Sequence, residues 1–100
     1  RNGVLTESCD LGSAACDDNQ KQFKGIFIRH FADLADATGS AAYRDYLARQ
    51  AQSVWATDRD PLNRLGQRWA GTTPNQKDWR TQASALAALT AWPGPGAPSR

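Results

Sequence analysis

Methionine is absent from the 100 residues, histidine occurs once, at His30, and cysteine twice, at Cys9 and Cys16. A lone histidine beside one cysteine pair is too small a donor set for a four-ligand structural zinc site. An excess of one charge is also missing. Twelve basic and ten acidic residues leave a net charge of +2, and the basic residues are scattered along the chain. No basic patch forms a nucleic-acid footprint, so no nucleic-acid partner is expected. No apolar run approaches the roughly 20 residues that span a bilayer, so no membrane span is expected. No signal-peptide pattern is visible. No metal and no cofactor is expected. The chain opens Arg1-Asn2-Gly3 without any Met, which predicts that upstream sequence has been removed.

Apolar residues make up 40% and charged residues 22%, an ordinary globular composition. The length suits one small domain. No alternating strand pattern occurs, so the fold class is all-α. Residues 1–17 read as a loop. Asp17-Asp18-Asn19 offers an N-cap and negative charge at a helix start. A helix is expected from about Asn19 to Ala37, with Phe23, Ile26, Phe27, His30 or Phe31, Leu34 and Ala35 as its apolar stripe. Gly39 is its natural left-handed stop. Ser40 caps a second helix to about Ala56, with Tyr43, Leu47, Ala51 and Val54 inward. So short a turn makes the two a helical hairpin.

Pro61 closes that helix, and 57–75 reads as a long loop carrying Leu62, Leu65 and Trp69. A third helix is expected from about Gln76 to Ala91, with Trp79, Ala83, Leu86, Ala87 and Thr90 on one side. The Pro/Gly-rich run 93–100 reads as a flexible tail after an ordered unit of 1–92. Four Trp and three Phe are a large aromatic share for so small a core. That share fits helices that pack against missing neighbours, and it equally fits a three-helix bundle that buries its own tryptophans.

Candidate chemistry is sparse. Asp17-Asp18 is an adjacent acid pair of the type that retaining glycosidases need about 5 Å apart. Two acids before an amphipathic helix act more simply as caps and dipole partners. Glu7, Asp10, Asp17 and Asp18 form an acidic group near Lys21 and Lys24, without calcium-loop spacing. Phe23 offers a ring face for a sugar and also fits the core stripe. His30 has no nucleophile and orienting acid grouped with it. No catalytic residue is assigned. Cys9 and Cys16 stand close enough in sequence for a local disulfide, and two unrelated thiols remain the alternative.

The run Gly3-Val4-Leu5-Thr6-Glu7-Ser8-Cys9, then Cys16, then Gln22-Phe23-Lys24-Gly25-Ile26-Phe27-Ile28-Arg29, resembles a late motif of glycoside hydrolase family 76. Val54-Trp55, Gly66-x-x-Trp69-x-Gly71 and a last helix with Thr81, Ser84, Ala85 and Leu86 follow in the family's order. The resemblance implies an (α/α)6 barrel of six helical hairpins, of which this chain is the C-terminal part. It implies retaining, endo-type hydrolysis of α-1,6-linked mannan by a secreted enzyme. It also implies that a pair of adjacent catalytic aspartates lies on an earlier part of the barrel, so Asp17-Asp18 does not inherit that role. The family often has Asp where this chain has Asn19. A secreted protein makes the Cys9–Cys16 disulfide the expected pairing. The resemblance puts the Glu7 loop and the Phe23-Lys24 turn near the barrel mouth, which makes Glu7, Phe23 and Lys24 candidate substrate-contacting or groove-shaping residues, with Trp69 the next candidate. The alternative is that Cys9–Cys16 and Phe23 simply close the barrel. The partners implied are α-mannan and the missing N-terminal part of the barrel. On this reading the chain is inactive alone. The competing reading is a self-standing helical module that binds a glycan or a protein.

Overall fold

The computed structural model describes residues 3–12 and 14–92. It is all-helical, with no strand among the described residues. A short 3-10 turn, Ser8–Leu11, precedes three α-helices: α1 (Gln20–Thr38), α2 (Ala41–Ser53) and α3 (Trp79–Ala91). The flexible tail expected at 93–100 lies outside the described residues.

Local chemistry sets the helix ends. Asp17 and Gln20 cap α1 reciprocally. The Gln20 amide donates to Asp17 Oδ1 at 2.8 Å, and the Asp17 amide donates to Gln20 Oε1 at 2.8 Å. Gly39 ends α1 in the left-handed region (φ 65°), its N–H donating to the Ala35 carbonyl. Ser40 opens α2, its Oγ accepting from the Tyr43 amide at 3.2 Å. These three ends are as the sequence suggests. The third start is not. α3 begins at Trp79 rather than Gln76, because Asp78 caps it. Asp78 Oδ1 accepts from the Arg80 and Thr81 amides, while the Thr81 hydroxyl accepts the Asp78 N–H. Gln76 instead reaches back, its Oε1 accepting the Cys16 amide at 2.8 Å.

α2 continues into a single π-helical turn, Val54–Asp58, closed by the Arg59 N–H to the Val54 carbonyl. Such turns re-aim the residues around them. Here the turn delivers Asp58 into the interior.

The core lies where α1, α3 and the 59–78 segment meet. It holds Ile28, Ala32 and Ala35 of α1, Leu47 and Val54, Ala85, Ala88 and Ala91 of α3, and Leu65 and Trp69 of the long segment. α1 packs most extensively on α3. Close approach needs small residues, and Gly25 meets Ser84 at the contact. That requirement rotates both helices away from the orientation their aromatic stripes suggest. The buried positions of α1 are Lys24, Gly25, Ile28, Ala32 and Ala35, and those of α3 are Thr81, Ser84, Ala85, Ala88 and Ala91. Phe23, Ile26, Phe27 and Leu34 of the expected α1 stripe are exposed, as are Trp79 and Leu86 of the expected α3 stripe. α1 and α3 are thus apolar on a packed face and on an outward one. The α2 stripe fits better: Leu47, Ala51 and Val54 are buried, and Tyr43 sits at the exposed edge.

Candidate functional site

The site builds up from the Cys loop. Cys9 and Cys16 form a disulfide with a Cα–Cα distance of 5.3 Å. It staples the turn that carries Asp10. Within that turn the Glu7 N–H donates to Asp10 Oδ2 at 3.0 Å, and Glu7 Oε1 accepts the Ser8 amide. Asp10 is buried, and its carboxylate makes an ion pair with Lys24, which is 3% exposed. The Gln67 side chain donates to Asp10 Oδ1 at 3.1 Å, and Lys24 Nζ donates to the Gln67 carbonyl at 2.6 Å. The ammonium also sits 5.5 Å from the centroid of the Trp69 ring, a cation–π contact. Burial pushes the Lys24 ammonium below its ordinary pKa, against the pull of Asp10. The pair is viable in the interior because its lone pairs and protons find further partners.

Three of the four candidate substrate contacts are therefore joined. Glu7 reaches Lys24 through Asp10, and Lys24 lies on Trp69. Their surroundings differ. Glu7 is half-buried, while Lys24 and Trp69 are interior, Trp69 being 1% exposed. Phe23 precedes Lys24 but lies on the outward face of α1, 49% exposed, apart from the cluster. Beside the Glu7 loop, Thr6, Asp10, Leu11, Arg68, Ala70 and Thr72 line a small recess. A second groove runs between α1 and α3, with Ile26 and Arg29 on one wall and Trp79 and Ala83 on the other.

Asp17 and Asp18 are both exposed. Asp17 serves the α1 cap, and Asp18 lies 3.6 Å from Lys21 and 3.5 Å from Arg80. Neither has the apolar pocket that a glycosidase acid requires. Ligand-type atoms of Cys9, Asp10 and Cys16 lie within 4.8 Å of one another. The two sulfurs are bonded to each other, and Asp10 is committed to Lys24 and Gln67. His30 is exposed on the outward face of α1.

Sequence reasoning passed over a second buried polar group. Asp58 is 2% exposed. Its Oδ1 accepts from the Gly66 amide at 3.0 Å and from Asn75 Nδ2 at 2.7 Å, and Oδ2 has no hydrogen-bond partner. Burial pushes its pKa up to about 6, outweighing those two hydrogen bonds and the charges of Lys24 and Lys77. Arg68, also buried, donates to the Thr73 and Gly12 carbonyls and so ties the long segment to itself and to the Cys loop. The one available signal was compositional. Asn, Gln, Asp and Arg interleave with Trp69 between 58 and 76, a stretch otherwise punctuated by Gly and Pro.

No curated protein and no solved structure matches the chain. A family model does, over residues 1–93, and its description is glycosyl hydrolase family 76. The matched span takes in the Cys loop, the Lys24 cluster and all three helices. The helical architecture agrees with part of an (α/α)6 barrel, and no helix among the described residues is long and apolar enough to cross a membrane. By that match over nearly all of its length, the chain belongs to glycosyl hydrolase family 76.

Proposed function

We propose that residues 1–92 are the C-terminal part of a secreted hydrolase acting with retention on α-1,6-linked mannan. In this reading the helices complete a barrel whose catalytic aspartate pair lies on other segments, and the chain has no glycosidase activity alone. The observation that carries it is the family match over residues 1–93. The outward apolar faces of α1 and α3 support it, because a self-contained monomer seldom leaves so many large apolar side chains in water. The Cys9–Cys16 disulfide supports an oxidising, extracellular setting.

Within the site, Glu7 and Phe23 are the groups with surface to offer a sugar. Phe23 would stack a ring face on sugar C–H groups, and the Glu7 loop would offer polar groups at a separate point along the glycan. Lys24 and Trp69 contribute from beneath, by holding the Glu7 turn in place through Asp10.

The test pairs an activity assay with a binding map. The chain is incubated with soluble α-1,6-mannan, and reducing ends are counted. Amide NMR shifts are then followed with an α-1,6-mannose oligomer and with a maltose oligomer as control. The expected result is no new reducing ends and shifts at Glu7 and Phe23 with the mannose oligomer only. Turnover by this chain alone, or equal shifts with both sugars, would overturn the reading.

A further inference from the structure

We propose that Asp58 is a proton-controlled clasp that holds the 66–75 segment against the end of α2, tight when its carboxyl is neutral and looser when it is ionised. This inference is independent of the glycan reading.

The geometry sets up the clasp. Asp58 ends the π-helical turn after α2, and its single oxygen Oδ1 accepts from two points on the facing segment, the Gly66 amide and the Asn75 side chain. Asn75 also ties the two ends of the segment together, its Oδ1 accepting the Arg68 amide at 2.7 Å while its side chain lies against Gly66. One carboxyl therefore gathers both ends of the segment. The other oxygen, Oδ2, is buried and unpartnered. A neutral carboxyl places its proton on Oδ2 and leaves Oδ1 free to keep both hydrogen bonds. An ionised carboxyl leaves charge on an oxygen that neither protein nor solvent reaches, a costly arrangement in the interior. Opening the segment lets water reach that oxygen, so the charged form favours the open state.

The charged neighbours do not cancel this cost. From α1, Lys24 acts on Asp58 at a distance, but its ammonium is already committed to Asp10 and the Gln67 carbonyl. From the facing segment, Lys77 acts weakly, and it is exposed. Both favour the carboxylate, and burial outweighs them. Gln67 follows Gly66 directly, and Trp69 lies three residues on. Loosening at Gly66 therefore also loosens the carbonyl and the ring that cradle Lys24.

The sign follows from linkage. A carboxyl whose proton is held to about pH 6 in the closed state, against an ordinary value of 3.8, binds protons more tightly closed than open. The closing advantage is complete below about pH 4 and is lost as pH rises through 6, by roughly a hundredfold in the opening constant.

The experiment follows hydrogen exchange at the Gly66 amide, corrected for intrinsic rate, from pH 4 to pH 7.5 in the full chain. The Asp58 carboxyl carbon shift is titrated alongside it. The expected result is an opening constant that rises by tens-fold or more with a midpoint near 6, matching the carboxyl titration. In Asp58→Asn the opening constant stays level over the same range. A carboxyl midpoint near 4, or a Gly66 response that persists in Asp58→Asn, would overturn the clasp. Should Asp58→Asn fail to fold, the wild-type titration and exchange profile decide the question by themselves.

Discussion

The Gly25 amide in α1 donates to the Ser84 hydroxyl in α3 at 2.8 Å, and a Cβ built on Gly25 would stand 2.8 Å from the Ser84 Cα. The two helices are therefore in backbone contact at this point. Gly25→Ala must push α3 away, because the obstructing atom is main chain and not a movable side-chain tip. The expected cost is about 1–3 kcal/mol. Urea unfolding reads it directly, and an unchanged midpoint would show that α1 and α3 can part at this point without cost.

The buried pair under the Cys loop makes a second prediction. Lys24→Ala leaves the Asp10 carboxylate interior and without its cation, and the expected loss is about 3–5 kcal/mol. Lys24→Met with Asp10→Leu removes both charges and keeps apolar volume, so it should recover much of that loss. Guanidinium midpoints of the two variants are measured together. Equal losses would show that a stranded charge is not what destabilises Lys24→Ala.

The sequence carried the helices well and their orientation badly. Caps at Asp17, Gly39 and Ser40 are local chemistry, legible in a few neighbouring residues. Which face of α1 turns inward is decided by Gly25 meeting Ser84, 59 positions away, and no period in α1 reveals it. The aromatic stripe of Phe23, Phe27 and Leu34 is real, but it faces outward among the described residues. The same limit hid the interior of 59–78. A Gly/Pro-punctuated stretch reads only as a long loop, and nothing local in it shows that Asp58, Gln67, Arg68 and Trp69 are all buried in or against it. Of the candidate site, the Cys9–Cys16 staple and the Glu7–Lys24 neighbourhood were legible through the motif. Asp10 as the link between them was not, because nothing in the acidic group of Glu7, Asp10, Asp17 and Asp18 says which member is buried against Lys24.

Gln50 is fully buried and stitches the N-terminal segment to α2. Its Oε1 accepts the Leu5 amide at 2.7 Å, and its Nε2 donates to the Gly3 carbonyl at 2.6 Å. Gln50→Ala strands two backbone groups and leaves a void, with an expected cost of about 2–4 kcal/mol. Loss of exchange protection at the Leu5 amide, ahead of the α3 amides, would show that the segment detaches first.

Removing the disulfide with Cys9→Ser and Cys16→Ser frees a short loop in the unfolded chain. A closed loop of this length is expected to contribute about 2–3 kcal/mol. The effect should also reach Lys24, because Asp10 lies inside the loop. Thermal unfolding with and without a thiol reductant checks the first part. A wild-type chain indifferent to reductant would show that packing alone holds Asp10.

The outward faces give the last prediction. Leu34 on α1 and Leu86 on α3 are 46% and 43% exposed and lie outside the packed core. Leu34→Gln with Leu86→Gln should leave stability within about 0.5 kcal/mol per site, as for surface positions generally. The same change should lower the fluorescence of an apolar-surface dye bound to the chain, because it removes apolar area that water now covers. If these faces instead hold the fold together, the double variant will lose stability, and dye binding will rise as the core opens. If the faces are where the remaining barrel helices pack, the variant will fold alone as well as the parent does. It will then be impaired only in complexes with those helices. Dye titration beside urea unfolding separates the two cases with one pair of proteins.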